Sequence, residues 1–160
     1  MIIVSDTTCI SHLALVGLQE LLPKLFGQVI IPPAVGLELA QGAVKHPEIE
    51  KALHAPWLEI RTLHNSTQAD ELALTIDRGE AEAIALALEL KCPLLMDDLP
   101  GRRCAEALQL KFTGTLGVLV DAKKRGCVEA VKPVLTRMMS QDRFRISPAL
   151  LERILKEVGE

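Results

Sequence analysis

The chain has 160 residues, 18 of them basic and 21 acidic, with a formal net charge of −3 and 49% hydrophobic residues. This length suits a single domain with a sizeable core, and no uncharged run of eighteen apolar residues is present, which excludes a helical membrane span. The acidic balance and the scarcity of aromatics (Phe26, Trp57, Phe112, Phe144) argue against a constitutive, sequence-independent nucleic-acid binder or a base-stacking platform. Nucleic-acid contact would need bound cations or a local basic rim.

Cys9, Cys92, Cys104 and Cys127 are widely spaced and form no CxxC pair. They read as buried thiols rather than a zinc knuckle or a disulfide framework. His12, His46, His54 and His64 show no HxxxH spacing, which argues against a histidine-rich metal site. The N-terminal apolar run lacks a basic flank and is interrupted at once by Asp6, unlike a signal peptide, so a cytoplasmic location is expected.

The first element is Ile2-Ile-Val4, too short for a helix and rich in β-branched residues. It reads as a buried parallel strand with Asp6 at its carboxyl end. Ile10 to Leu22 has helical spacing, capped by Thr7 or Thr8, broken at Gly17 and ended near Pro23. Gln28 to Ile31 is a second strand, and Pro33 opens a helix to about Gln41 that Gly42 stops. A short helix is expected from His46-Pro47 to Leu53, then a third strand within Trp57 to Leu63, at a sheet edge.

Ser66 to Ile76 is helical in composition, and a further helix runs from about Glu80 to Leu90 with an apolar face of Ile84, Ala85 and Leu88. Leu94 to Met96 forms a fourth strand ending in Asp97-Asp98, Pro100-Gly101 turns into a helix from about Arg102 to Leu110, and Phe112-Thr113 is a brief fifth strand. Helices from Leu116 to Lys124, from Val128 to Met139 and from Pro148 to Gly159 complete the chain. Short apolar strands alternating with helices define a three-layer α/β/α architecture around a parallel sheet of four to five strands. No internal repeat or linker divides residues 1–160.

In such a sheet, ligands bind at the edge shared by strand carboxyl ends and helix amino ends. Asp6, Glu38, Glu80, Asp97 and Asp98 all map to that edge. Each has a plainer role available: Glu38 as a solvated helix position, Glu80 as half of a capping box with Asp77, and Asp97 or Asp98 as a helix cap. Glu82 aligns with Glu89 on a helix face and reads as solvent-exposed. Taken together, four or five carboxylates would repel strongly unless divalent cations sit among them. All-oxygen ligation points to Mg²⁺ or Mn²⁺ rather than Zn²⁺.

Val-Ser-Asp6-Thr-Thr, Ile-Pro-Pro-Ala-Val-Gly-Leu-Glu38, Gly79-Glu80-Ala-Glu-Ala-Ile-Ala-Leu-Ala87, Leu-Leu-Met-Asp97-Asp98 with Gly101-Arg102, and Gly114-Thr-Leu-Gly-Val-Leu119 together resemble the PIN-domain proteins. More narrowly they resemble the DUF3368 subgroup, similar to VapC toxins. The motif-bearing stretch is residues 1–125, followed by C-terminal helices over 128–160.

The resemblance implies a metal-dependent endoribonuclease, the toxin of a type II toxin–antitoxin pair, with an RNA substrate and a small antitoxin partner. A homodimer is also expected, and the last helix, with Leu151, Ile154, Leu155 and Val158 at helical spacing, reads first as packed on the domain and second as a dimer or antitoxin contact. By position, Asp6, Glu38, Glu80 and Asp97 match the catalytic and metal-binding acids, with Asp98 as the close alternative to Asp97. The chain departs from the VapC pattern Asp-x-x-Ile-Ala around Gly79-Glu80, which leaves Glu80 and Glu82 both open as the third ligand. The implied chemistry is two-metal phosphodiester hydrolysis with the ions roughly 3.5–4 Å apart.

Thr7 and Thr115 are candidate hydroxyls for the site, with helix capping as the plainer role. Arg78, Arg102, Arg103 and Lys111 are candidate phosphate contacts, against ordinary surface charge. Two other readings stand beside the nuclease: a catalytically degenerate PIN-like domain that binds protein or RNA, and a Mg²⁺-dependent phosphotransfer domain.

Overall fold

A computed structural model describes residues 1–141 and 144–160; positions 142 and 143 of the expected C-terminal helical stretch lie outside the described residues. Five parallel strands form one sheet in the order β3-β2-β1-β4-β5. They are β1 (Ile2–Ser5), β2 (Gln28–Ile31), β3 (Leu58–Ile60), β4 (Leu94–Leu95) and β5 (Phe112–Thr113). Ile3, Val4 and Ser5 are fully enclosed because β1 has a strand on each side and helices over both faces, which is why Ile2, Ile3 and Val4 run apolar without alternation.

The order places a topological switch at the centre. From β1 the chain moves outward through β2 and β3, then crosses back to lay β4 on the other side of β1. A crevice opens at the carboxyl ends of β1 and β4, where chain connections diverge.

Ten helices surround the sheet among the described residues: α1 (Thr7–Leu15), α2 (Leu21–Phe26), α3 (Pro33–Ala43), α4 (Pro47–Leu53), α5 (Thr67–Leu72), α6 (Arg78–Leu90), α7 (Leu99–Ala107), α8 (Thr115–Lys124), α9 (Val131–Met139) and α10 (Pro148–Glu157). Helix α1 packs on α4 and α8, whereas α6 packs on β1, β4, α5 and α7. Helix α3 meets both α1 and α6, so it ties the two groups together at the site. No helix among the described residues is long and apolar enough to cross a membrane.

Several boundaries differ from the sequence expectation for identifiable reasons. Asp6 itself, not Thr7 or Thr8, caps α1, accepting the Cys9 N–H at 2.9 Å. Pro23 does not end a helix; it is the third residue of α2, where a missing N–H costs no intrahelical bond. Gly42 lies inside α3, where the absent Cβ lets Ile49 of α4 approach. Helix α7 begins at Leu99, because the Asp98 carboxylate caps it by accepting the Gly101 N–H at 3.2 Å. Cys9 and Cys92 are buried as expected, but Cys104 is half-buried and Cys127 exposed. Helix α10 begins as expected, with Ser147 as its cap, and packs Ile154, Leu151, Leu155 and Val158 against the core.

Candidate active site

Asp6 is delivered to the crevice by the last residue of β1 and Asp97 by the end of β4, so strand register alone sets them side by side. The Asp97 N–H donates to Asp6 Oδ2 at 3.0 Å, while Asp6 Oδ1 accepts from Cys9. Burial first, and then the neighbouring Asp97 charge, pushes the Asp6 carboxyl up to about 6. The same burial, reinforced by the Asp6 and Asp97 charges, holds the Cys9 thiol far above its ordinary value, so it is an inert wall of the site.

Asp97 is held by three donors. The Thr115 N–H reaches Oδ1 at 2.7 Å, and Oδ2 accepts the Thr115 hydroxyl at 2.6 Å and lies 3.0 Å from His12 Nδ1. Burial alone would raise this carboxyl, but the contacts from His12 and Thr115 outweigh it and keep it below the ordinary range. His12 is fixed in turn by an edge-on contact with Phe144, ring centroids 5.0 Å apart. Thr115 therefore anchors an acid rather than capping its helix. His12 was not singled out in the sequence; its spacing of one helical turn from Thr8, beside the Asp6 strand end, is the signal that would have found it.

Glu38 is exposed on α3, as its plainer reading held, yet it turns toward the crevice: Thr7 Oγ1 donates to its Oε2 at 2.6 Å. Its other oxygen occupies the place that a Cβ on Gly79 would take, so the missing side chain in the first turn of α6 is what allows α3 and α6 to bring their acids together. Glu80 follows directly. Burial, then the charges of Asp98 and Asp77 and more weakly Asp6, push its carboxyl up to about 7, against a backbone hydrogen bond from Asp77. That bond is one half of the expected capping box; the Asp77 side chain makes no cap bond in return.

Glu82 does not face solvent. Its Oε1 accepts the Ala34 N–H at the start of α3 at 3.1 Å, and its Oε2 takes Arg78 Nε at 2.7 Å. Glu89, expected on the same solvated face, is likewise occupied, accepting from the His64 and Asn65 backbone. The open start of α3 attracts a carboxylate because its first N–H groups have no intrahelical partner. Arg78 is neutralised between Asp70 and Glu82, each at 2.7 Å. Lys111 precedes β5 and so falls at the amino edge of the sheet, opposite the acids.

The five acids are thus brought to one edge, Asp6 touching Asp97, Glu38 reaching over Thr7, and Glu80 within the field of Asp98 and Asp6. The donor set is all oxygen, and two of its members resist ionisation, which is the condition a hard divalent cation relieves. In that sense the residues fit Mg²⁺ or Mn²⁺. Among the described residues no three candidate ligands already close into a coordination group, so binding would require side-chain rotation.

A five-stranded parallel sheet with helices on both faces and acids at the carboxyl edge of its switch point defines a three-layer α/β/α protein of the PIN type. The chain belongs to the DUF3368 family of PIN domains, whose model matches residues 2–160, and PIN domains are a nuclease-like family. Among solved structures it is similar to a PilT N-terminus domain protein from the hyperthermophilic archaeon Sulfolobus solfataricus P2, with 20% identity, a TM-score of 0.57, and coverage of 76% of this chain and 93% of that one. At that identity the likeness speaks for the fold. Comparison with curated proteins gave no significant match.

Proposed function

We propose that this protein is a Mg²⁺- or Mn²⁺-dependent endoribonuclease hydrolysing RNA phosphodiester bonds, with Asp6, Glu38, Glu80 and Asp97 as its catalytic acids and Asp98 as a further metal ligand. The observation that carries the reading is the meeting of acids at one sheet edge: the Asp97 N–H reaches Asp6 Oδ2 at 3.0 Å, Glu38 lies against Thr7 and Gly79, and burial with neighbouring acids pushes the Asp6 and Glu80 carboxyls up to about 6 and about 7. Ionised together at neutral pH, such acids repel one another, and a divalent cation offsets that repulsion. Bound there, the divalent cation supplies the positive charge that offsets the scissile phosphate and lowers the pKa of water.

The chain's own residues do the rest. Asp6 is the anchor, fixed by two backbone N–H groups. Asp97 is kept ionised and immobile by Thr115 and His12. Thr7 presents Glu38, and Glu80 is held by the Asp77 backbone at the start of α6. Asp6→Asn is expected to abolish Mn²⁺-dependent cleavage of single-stranded RNA while leaving the circular dichroism spectrum unchanged. Undiminished cleavage by that variant, or by the parent protein in excess chelator, removes the mechanism.

The reading extends to the toxin of a type II pair acting in the cytoplasm, as a homodimer held by a small antitoxin protein. The support is membership of a nuclease-like family together with the VapC-like motifs. Induced expression should arrest growth, Asp6→Asn should not, and co-expression of a small adjacent reading frame should restore growth. Normal growth with the parent protein present in quantity speaks against the toxin role.

A further inference from the structure

We propose that Arg102 is a preset phosphate-binding residue that holds the RNA backbone beside the acids. This rests on the nuclease reading and adds the group that grips the substrate. Arg102 lies in the first turn of α7, directly after the Asp97-Asp98 strand end. Its Nε donates to the carbonyl of buried Met96 at 2.8 Å, and its guanidinium carbon stands 5.5 Å from the centre of the Phe112 ring. Its Nη2 fills the space at Gly114, where a Cβ would run into it and also lie 2.5 Å from Asp97 Oδ1. A carbonyl, an aromatic face and a missing side chain thus fix the guanidinium next to Asp97.

Among the described residues one of its five N–H donors is spent, on Met96. Asp97 has taken Thr115 and His12 as partners, and among the described residues no carboxylate forms an ion pair with Arg102. This contrasts with Arg78, whose charge is cancelled by two acids. An oriented fork that stands beside Asp97 without a direct ion pair among the described residues matches the paired oxygens of a phosphodiester. It also meets a difficulty of the whole molecule: with a net charge of −3 and acids lining the crevice, the RNA backbone needs a local cation to approach.

The test is binding of a short 2′-O-methyl single-stranded oligoribonucleotide at fixed Mn²⁺ across a salt series. Arg102→Gln is expected to weaken binding about tenfold, the equivalent of one charge-assisted hydrogen bond. It should also reduce the slope of log affinity against log salt by about 0.7, the single-strand value for one phosphate. Arg102→Lys should keep the slope but bind several-fold less tightly than the parent, because the planar fork is lost. Phe112→Leu, which keeps the charge and removes its platform, should also weaken binding. Mn²⁺ affinity of Arg102→Gln, by calorimetry, should be unchanged or higher.

Unchanged slope and affinity in a folded Arg102→Gln overturns the proposal, and if the parent still cleaves RNA with Mn²⁺ the nuclease reading stands without it. Loss of Mn²⁺ and RNA binding together in both Arg102 variants makes the residue a structural staple and overturns it too. A parent protein that neither binds nor cleaves RNA sinks the nuclease reading, and this proposal with it.

Discussion

Asp97 donates its backbone N–H to a carboxylate oxygen of Asp6, 91 residues earlier, at 3.0 Å. The contact locks the two acid-bearing strand ends together and forces one carboxylate to sit in the other's field. The ordinary values of 3.8 and 4.5 for Asp6 and Glu80 rise to about 6 and about 7. The folded protein therefore keeps protons that the unfolded chain has released, so the metal-free protein should lose stability as pH rises from about 4 to about 7 and level off above. Asp97, Glu59, Asp70 and Glu160, all lowered, contribute with the opposite sign below and at the lower end of that window, up to their ordinary values of 3.8 and 4.5. Thermal unfolding in chelator from pH 4 to 8 tests this; a midpoint that climbs through the window contradicts it. Added Mn²⁺ should raise the midpoint more at pH 8 than at pH 5, since protons compete for the same oxygens.

Thr115 is 1% exposed and gives both its N–H and its hydroxyl to Asp97. Thr115→Val keeps the shape and the N–H but removes the hydroxyl donor, and should cost about 1–3 kcal/mol, the range for a hydrogen bond to a charged, partly buried group. The Asp97 carboxyl should rise as its support is lost. Urea unfolding gives the energy, and Thr115→Ser should recover most of it. A valine variant as stable as the parent would mean that the hydroxyl contributes nothing.

Gly79→Ala places a methyl where Glu38 Oε1 now rests. The colliding atom is the end of a flexible side chain, and alanine favours a helix over glycine by roughly 0.8–1 kcal/mol, so stability should change little. Glu38 should be displaced from Thr7, and Mn²⁺ affinity by calorimetry should fall. Unaltered affinity would show that Glu38 takes no part in binding cations.

Glu80 and Glu82 should separate cleanly. Glu82→Gln loses its Arg78 pair and weakens the start of α3, which should lower the thermal midpoint by a few degrees and leave Mn²⁺ binding intact. Glu80→Gln should do the opposite, stabilising the metal-free protein near pH 8 by removing a disfavoured charge while abolishing the Mn²⁺ response. Reversed results would exchange the two roles.

Much of the fold was legible in the sequence because the short apolar runs that begin at Ile2, Gln28 and Leu94, the first two rich in β-branched residues, are too short for helices and read as buried strands, and their alternation with helices then points to a layered parallel sheet. Asp6 and Asp97 were legible for the same reason, since residues just past the end of a buried strand cannot avoid the carboxyl edge. The sequence by itself determined the elements, their order and which acids stand at strand ends. Only the tertiary structure decided the strand order that makes β1 and β4 neighbours, the pairing of Glu38 with Gly79, the burial of Glu82 against α3 and the capture of Asp97 by His12 and Thr115. Those relations depend on which helix ends meet across the crevice, and local propensity carries no information about partners tens of residues away.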